Sequence, residues 1–332
     1  MKNRTIGSLS VSPTGLGCMN LSFGYGAVDE ETAERVLLEA LDEGITFFDT
    51  AFVYGSGHNE TLIGKVMASH RNRFVLASKC GMSRDGIDGR PATIRKQCET
   101  SLKRLQTEVI DLYYLHRMDK QVPIEESVGA MGDLVREGKV RELGLSEVSC
   151  ETLKRAQSEQ AIAAVQSEYS LWTRTPEHGM LELCSRTGVT FVPFSPLGRG
   201  FLAGSSKPVT KLADDDLRCT IARPRFEPDA FVANEKLLIE FGRLAEKYNC
   251  TMAQLALAWL LTIEQQKMVP IPGTRSIQHM KDNAASANLI LSSKAVAELN
   301  DLINESTVQG TRYTSERMRD TDSERDVSVS ET

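Results

Sequence analysis

Short apolar runs alternate with amphipathic stretches along most of the chain. The runs are centred near residues 17, 47, 76, 112, 143, 165, 192 and 270. Between them, apolar residues recur at intervals of three and four, which is the spacing of one helix face. Strands that alternate with helices predict a parallel sheet, and eight such units predict a closed (β/α)8 TIM barrel, an α/β fold. An open doubly wound sheet is the alternative, but no GxGxxG motif follows an early strand.

Several segments lie outside this alternation. Residues 4–11 read as an N-terminal β-hairpin around Gly7 and Ser8. A long irregular stretch, about 195–229, is rich in Gly, Pro, Asp and Arg, and loops of that length are usually functional. Extra helices near 276–286 and 292–303 follow the last predicted strand. We therefore expect a single barrel domain over 1–315 and a polar, disordered tail over 316–332.

Composition narrows the class of protein. The 332 residues are 41% hydrophobic and 25% charged, as in ordinary globular domains. A net charge of −6 argues against a nucleic-acid surface. The seven cysteines form no CxxC pair and no zinc-spaced cluster with histidine, which indicates reduced thiols and no metal. No signal-peptide run is present, and the most apolar helix is too short to cross a bilayer. These features predict a cytoplasmic protein with no membrane partner.

Three consecutive predicted strands end on an ionisable residue. Asp49 ends the strand near 47, Lys79 the strand near 76 and His116 the strand near 112. Tyr54 lies in a glycine-rich loop just after the first of them. Taken singly, a lysine is more often at the surface and a histidine more often structural. The strand ends of a barrel meet at one mouth, however, so the four side chains predict a catalytic site there.

These residue types suit proton donation to a carbonyl oxygen. A tyrosine with a pKa of about 10 is too weak an acid alone, and the Lys79 ammonium is expected to lower that pKa towards neutrality. Asp49 would hold Lys79, and His116 would orient the carbonyl or relay the proton. The strand ends lack a nucleophile with its base, a carboxylate pair and a metal cluster. Hydride delivery from a cofactor, with Tyr54 as the acid, therefore fits better than a hydrolytic or isomerase barrel.

Seven motifs surround these four residues or lie further along the chain. They are GITFFDTAFVYGSGHNE at 44–60, ASK at 77–79, DLYYLHR at 111–117, GLSE at 144–147, QSEYSLW at 166–172, FSPLGRGFL at 194–202 and PIPGTRSIQHMKDN at 270–283. Together they resemble the aldo-keto reductase superfamily over about 4–315. Within it, the QSEYSLW and SPLGRGFL motifs are most similar to the bacterial, fungal and plant branch that reduces aldehydes and ketones.

The resemblance implies an NADP-dependent oxidoreductase that reduces a small-molecule carbonyl compound, as a monomer or homo-oligomer. It makes Asp49, Tyr54, Lys79 and His116 the catalytic tetrad. It also implies that Ser146 and Gln166 bind the nicotinamide carboxamide and that Tyr169 stacks on the nicotinamide ring. The pyrophosphate would be lined by Ser195, Pro196, Leu197, Gly198 and Arg199. The loop around the 2′-phosphate would be Gly273, Thr274 and Arg275, and the adenine would contact Asp282 and Asn283. Cofactor-sensing potassium-channel β-subunits also resemble this family, which leaves a regulatory binding subunit as the alternative function.

Two positions depart from the family pattern. Many members place an asparagine that binds the carboxamide where this chain has Glu147, and some place an arginine where it has His279. An anionic side chain suits a carboxamide oxygen poorly, so Glu147 is not expected to contact the cofactor. A histidine would bind the 2′-phosphate better when protonated. Arg275 favours NADP over NAD, and the strength of that preference stays open. Phe23 and Trp172 fit either the substrate pocket or packing.

Overall fold

The structure is a computed structural model that describes residues 3–26, 28–263 and 268–323. Its strands follow the predicted alternation. In chain order they are β1 (Arg4–Ile6), β2 (Leu9–Val11), β3 (Leu16–Gly17), β4 (Phe47–Asp49), β5 (Val75–Cys80), β6 (Met82–Ser83), β7 (Gly86–Ile87), β8 (Ile110–Leu115), β9 (Val140–Ser146), β10 (Ala164–Glu168) and β11 (Thr190–Phe194).

Seven of these strands form one parallel sheet in the order β3, β4, β5, β8, β9, β10, β11. The segment 268–272 joins its two edges. It donates two backbone hydrogen bonds to β11 and accepts two, one from Gly15 just before β3 and one from Gly17 at the end of β3. The sheet is thereby closed, and 268–272 is its eighth strand. The predicted (β/α)8 barrel is confirmed.

The helices cover the outside of this barrel. They are α1 (Glu30–Asp42), α2 (His58–Met67), α3 (Pro91–Arg104), α4 (Ile124–Arg136), α5 (Cys150–Glu159), α6 (Met180–Thr187), α7 (Pro228–Lys247), α8 (Met252–Thr262), α9 (Ile277–Ala285), α10 (Ser293–Leu302) and α11 (Ser315–Met318). Helix α1 illustrates the local rules: Asp29 caps it by accepting from the Thr32 amide at 2.7 Å, and its apolar stripe is buried. Among the described helices, none is long and apolar enough to cross a membrane.

The apolar core has two parts. The larger lies between the sheet and the helices, and the smaller fills the barrel interior. The predicted N-terminal hairpin, β1 paired with β2, contributes Ile6 and Val11 to the interior cluster beside Phe47 and Leu112. Phe47 is the first residue of β4, so this cluster with the hairpin lies at the end of the barrel where the strands begin. The packed interior therefore leaves the other end of the barrel, where the strands finish, for a site.

The tail was expected to be disordered from residue 316, and up to Ser323 the structure differs. Helix α11 is followed by a segment in which Thr321, Asp322 and Ser323 are buried. The Asp322 amide donates to the Glu147 carbonyl at 3.0 Å, and the Asp322 carboxylate accepts from the Ser149 amide at 2.9 Å. A segment held by single polar contacts shows no periodic pattern of apolar residues, so the sequence did not predict that it is ordered. Residues 324–332 lie outside the described part of the chain.

Candidate active site

A cavity of about 1120 Å³ opens where the strands end, lined by the loops that follow them and by the segment 268–272. Small-molecule pockets typically measure roughly 300–1,000 Å³, so this one is large. Two loops meet above it. The Leu217 amide donates to the Gly24 carbonyl at 2.9 Å, and the Arg218 guanidinium lies 5.2 Å from the centre of the Tyr25 ring. The long irregular stretch after β11 thus covers part of the cavity.

The structure brings the four predicted catalytic side chains together. Lys79 Nζ forms a buried ion pair with Asp49 and donates to the Thr50 carbonyl at 2.7 Å and to the Tyr54 hydroxyl at 3.3 Å. The His116 ring lies edge-on to the Tyr54 ring, with centroids 5.8 Å apart. Asp49, Tyr54 and His116 line the cavity, whereas Lys79 is buried behind them.

The glycine-rich loop fixes Tyr54 in place. Tyr54 begins a 3-10 turn, Tyr54–Gly57, whose last three residues have left-handed backbone angles. Gly57 has φ +96°, and a Cβ there would lie 2.3 Å from the guanidinium carbon of Arg104. Arg104 in turn donates to Glu60 in α2 at 3.1 Å. The positive φ and the close guanidinium both favour glycine at position 57, which keeps the loop that carries Tyr54 in this tight turn.

Burial sets the protonation of the tetrad. It opposes a charge on Lys79, but Asp49 and Tyr54 outweigh it and raise the pKa of the ammonium. Burial raises the pKa of Tyr54 above its usual value, and the opposing charge of Lys79 does not overcome that rise. The sequence-based expectation of a pKa near neutrality is therefore wrong for this structure, because burial outweighs the Lys79 ammonium and the charge of Asp49 adds to the rise. At neutral pH the pair is an ammonium and a neutral phenol.

His116 is held neutral. Burial, followed by the charges of Arg117 and Lys79, lowers its pKa well below the usual value. Its Nδ1 has no hydrogen-bond partner within 3–26, 28–263 and 268–323. An imidazolium would need an acceptor or a carboxylate there. The ring can therefore donate a hydrogen bond but is a poor proton source.

Asp49 also contacts a predicted cofactor residue. Gln166 Nε2 donates to its second carboxylate oxygen at 2.7 Å, which leaves Gln166 Oε1 as an acceptor. The neighbouring position across the ladder is Ser146, whose hydroxyl accepts from Arg117 Nη1 at 3.2 Å and so keeps its own proton to donate. One acceptor beside one donor matches the two hydrogen-bonding groups of a carboxamide.

Most of the other predicted cofactor residues line the cavity. These are Ser195, Pro196, Leu197, Arg199, Gly273, Thr274, Arg275, His279, Asp282 and Asn283. Gly198 is buried just outside the lining, where a Cβ would lie 2.8 Å from the Trp172 ring. Arg199 pairs with buried Glu168 at 2.7 Å, so its charge is already balanced.

The structure does not place Tyr169 in the cavity. Its hydroxyl donates to Glu177 at 2.8 Å, and its ring packs in the core against Phe191 and Trp259. Tyr169 was proposed from its position just after β10, but that position turns the side chain towards the helices. Phe194, the last residue of β11, is an aromatic residue that does line the cavity. It was missed because an apolar residue at a strand end reads as core.

The two aromatic residues left open by the sequence separate clearly. Phe23 lines the cavity, and its ring centroid lies 6.0 Å from that of Tyr54. Trp172 is instead stacked on Phe201 in the core at 4.0 Å. Phe23 is therefore a wall of the reaction end of the cavity.

Glu147 faces away from the cavity. It has a left-handed backbone at φ +58° and accepts hydrogen bonds from Arg312 at 2.5 Å, from Ser323 at 3.0 Å and from the Glu168 amide at 2.9 Å. Burial opposes its ionisation, but Arg312 and Arg117 lower the pKa of the carboxyl to about 2. This anion is thus a structural anchor for the C-terminal segment.

Several known proteins are similar to this chain in sequence and in architecture. The sequence model of the aldo/keto reductase family matches residues 13–304. The probable aldo-keto reductase 1 of Glycine max is 42% identical over 310 residues, which cover 91% of this chain and 88% of the relative. Glycerol dehydrogenase AKR11B4 from Gluconobacter oxydans is similar in structure, with a TM-score of 0.83, 30% identity and coverage of 91% of this chain and 94% of that one. An aldo/keto reductase from Klebsiella pneumoniae in complex with NADP and acetate has a TM-score of 0.72, 27% identity and coverage of 94% and 99%.

Proposed function

The chain belongs to the aldo/keto reductase family, and we propose that it reduces aldehydes or ketones to alcohols with NADPH, using Tyr54 as the proton donor. It is an oxidoreductase of carbonyl and alcohol groups by that membership. The observation that carries the proposal is the Tyr54 hydroxyl on the cavity wall, 3.3 Å from the ammonium of Lys79. The complex of the Klebsiella reductase with NADP supports the choice of cofactor.

The cavity suits a dinucleotide in size and in polarity. Ser146 and Gln166 would hold the carboxamide through the donor and acceptor that Arg117 and Asp49 leave available. Phe194 replaces Tyr169 as our candidate for the ring-stacking residue. Arg275 would bind a 2′-phosphate, because a phosphate monoester needs a fixed cation. NADPH, when bound, supplies the hydride that reduces the carbonyl carbon.

The tetrad divides the remaining work. Tyr54 keeps its proton at neutral pH and can donate it to the developing alkoxide. Lys79 stabilises the phenolate that results, at a distance already set before the reaction. Neutral His116 would donate a hydrogen bond to the carbonyl oxygen and orient it. Asp49 holds Lys79 and takes no proton itself.

A carbonyl panel with NADPH and NADH tests this function. We expect the reduced-nicotinamide absorbance to fall in step with alcohol formation, with a higher kcat/KM for NADPH than for NADH because of Arg275. Aldehydes, ketones, quinones and dicarbonyls should be included. Protein that binds NADPH but turns over no member of the panel would contradict the proposed reaction.

The pH dependence of the two reaction directions should differ. Reduction needs neutral His116 and protonated Tyr54. The pKa of His116 lies well below its usual value and that of Tyr54 lies above its own, so kcat for reduction should be nearly flat from about pH 6 to 9. Alcohol oxidation needs the phenolate and should rise about tenfold per pH unit over the same range. A fall in the reductive kcat between about pH 6 and 8 would contradict this prediction, because the group that donates the proton would then lose it near neutrality.

A further inference from the structure

We propose that the carbonyl substrate carries a carboxylate, and that Arg117 binds it beside the tetrad. The inference deepens the proposed function and rests on it. The substrate class is therefore an aldehyde or ketone that is also an acid.

Arg117 is a cation with unused donors at the reaction end of the cavity. It directly follows His116, lines the cavity and is half-buried. Its Nη1 donates to the His116 carbonyl at 2.6 Å and to the Ser146 hydroxyl at 3.2 Å, and both acceptors are uncharged. Across residues 3–26, 28–263 and 268–323, its Nε and Nη2 form no hydrogen bond and no carboxylate pairs with it. A guanidinium in this state suits a bidentate anion.

Three other arginines of the cavity wall are already neutralised. Each has its own carboxylate partner: Arg199 with Glu168 at 2.7 Å, Arg218 with Asp216 at 2.7 Å and Arg317 with Asp320 at 2.9 Å. Glu147, whose ionisation Arg117 favours at longer range, is bound to Arg312 instead. Arg117 therefore differs from these neighbours in having its charge available to a ligand.

The position of Arg117 argues against a role with the cofactor phosphates. The proposed phosphate-binding loops follow β11 and 268–272, whereas Arg117 follows β8, three strands away from β11 in the sheet. Arg117 lies close enough to Tyr54 and His116 for its charge to act on both side chains. A second arginine of the cavity wall, Arg84, has no hydrogen-bond or ion-pair partner among the described residues and lies on the β6–β7 hairpin that follows the adjacent β5. Arg117 thus lies beside the place where the carbonyl must lie, and Arg84 offers a cation elsewhere on the cavity wall for comparison.

Matched pairs of acid and ester test the inference. The probes are 2-, 3- and 4-carboxybenzaldehyde and their methyl esters, which differ by one charge on the same ring. We expect at least one acid to exceed its ester in kcat/KM by on the order of 10- to 100-fold, the effect of a charge-assisted hydrogen bond. The KM of that acid should rise with ionic strength while the KM of the ester does not.

Two variants locate the charge. Arg117→Gln should remove the preference for the acid while changing kcat/KM for the ester much less, and Arg117→Lys should retain part of the preference. Arg84→Gln should keep it. If Arg117→Gln lowers acid and ester equally, or wild type shows no preference at any ring position, Arg117 only supports His116 and Ser146 and the inference is overturned. Wild type that reduces members of the carbonyl panel but none of these probes would overturn this inference alone, whereas wild type that reduces no carbonyl compound with NADPH would refute the proposed function as well.

Discussion

Tyr54→Phe is expected to lower kcat/KM for carbonyl reduction by about 10²- to 10⁴-fold, the usual effect of a general acid. The phenol is the only tetrad group that combines a retained proton with a place on the cavity wall, since Lys79 is buried behind it and His116 is neutral. Cofactor affinity should change little, because the proposed carboxamide contacts come from Ser146 and Gln166. Steady-state kinetics and cofactor titration by fluorescence separate the two effects.

Tyr169→Phe is the matched control. The same hydroxyl is deleted, but from a tyrosine that lies in the core and donates to Glu177 at 2.8 Å. It should cost about 1 kcal/mol of stability and leave turnover near the wild-type value. Normal turnover by Tyr54→Phe would refute the assignment of the acid, and an equal loss in both variants would show that the first reports folding rather than chemistry.

The tetrad could be predicted because the topology of the barrel determines where these residues lie. Asp49, Lys79 and His116 follow apolar runs, and parallel strands that alternate with helices bring such ends to one mouth. Their adjacency therefore needed no knowledge of side-chain packing. The direction in which the pKa of Tyr54 shifts did need it. Whether the pKa rises or falls depends on how far burial outweighs the Lys79 ammonium, which also pairs with Asp49. The depth of burial cannot be predicted from local sequence.

Side-chain direction and long-range polar pairing were the other limits. Tyr169 and Phe194 each lie at the end of a strand, yet one faces the helices and the other the cavity, and a shift of one residue reverses the direction. In the sequence, Glu147 is only a departure from a family motif. In the structure it pairs with Arg312, which lies 165 residues further along the chain, and sequence patterns do not predict such a pair. The same contact explains why the polar residues before 324 are packed.

Lys79→Met should lower both activity and stability. Without the ammonium, the phenolate formed at Tyr54 loses the charge 3.3 Å from its oxygen, and we expect a loss in kcat of about 10²-fold or more, as for a lost preorganised donor. Breaking a buried ion pair from one side costs about 3–5 kcal/mol, because Asp49 is left as a buried carboxylate without its counter-ion. Denaturant unfolding and kinetics measure the two losses.

The stability that Lys79→Met loses should depend on pH, and the direction of that dependence should show that the Asp49 carboxylate is its cause. Burial raises the pKa of this carboxyl even beside Lys79, and removal of the ammonium should raise it further. A carboxyl whose pKa is higher in the folded than in the unfolded state binds more protons when folded. The variant should therefore be more stable at about pH 5 than at about pH 8, losing stability as the pH rises above the unfolded value of about 3.9.

Lys79→Met combined with Asp49→Asn separates the structural from the catalytic role of the pair. The side chain that Asp49→Asn introduces in the double variant is uncharged and can still accept a hydrogen bond from Gln166. The double variant should therefore recover most of the stability that Lys79→Met loses. Its stability should not change with pH between about pH 5 and 8, because no carboxyl titrates at position 49. Turnover should stay low, because Tyr54 still lacks its ammonium. Recovery of activity together with stability would mean that Lys79 serves only to balance Asp49, and Tyr54 would then need another source of stabilisation for its phenolate.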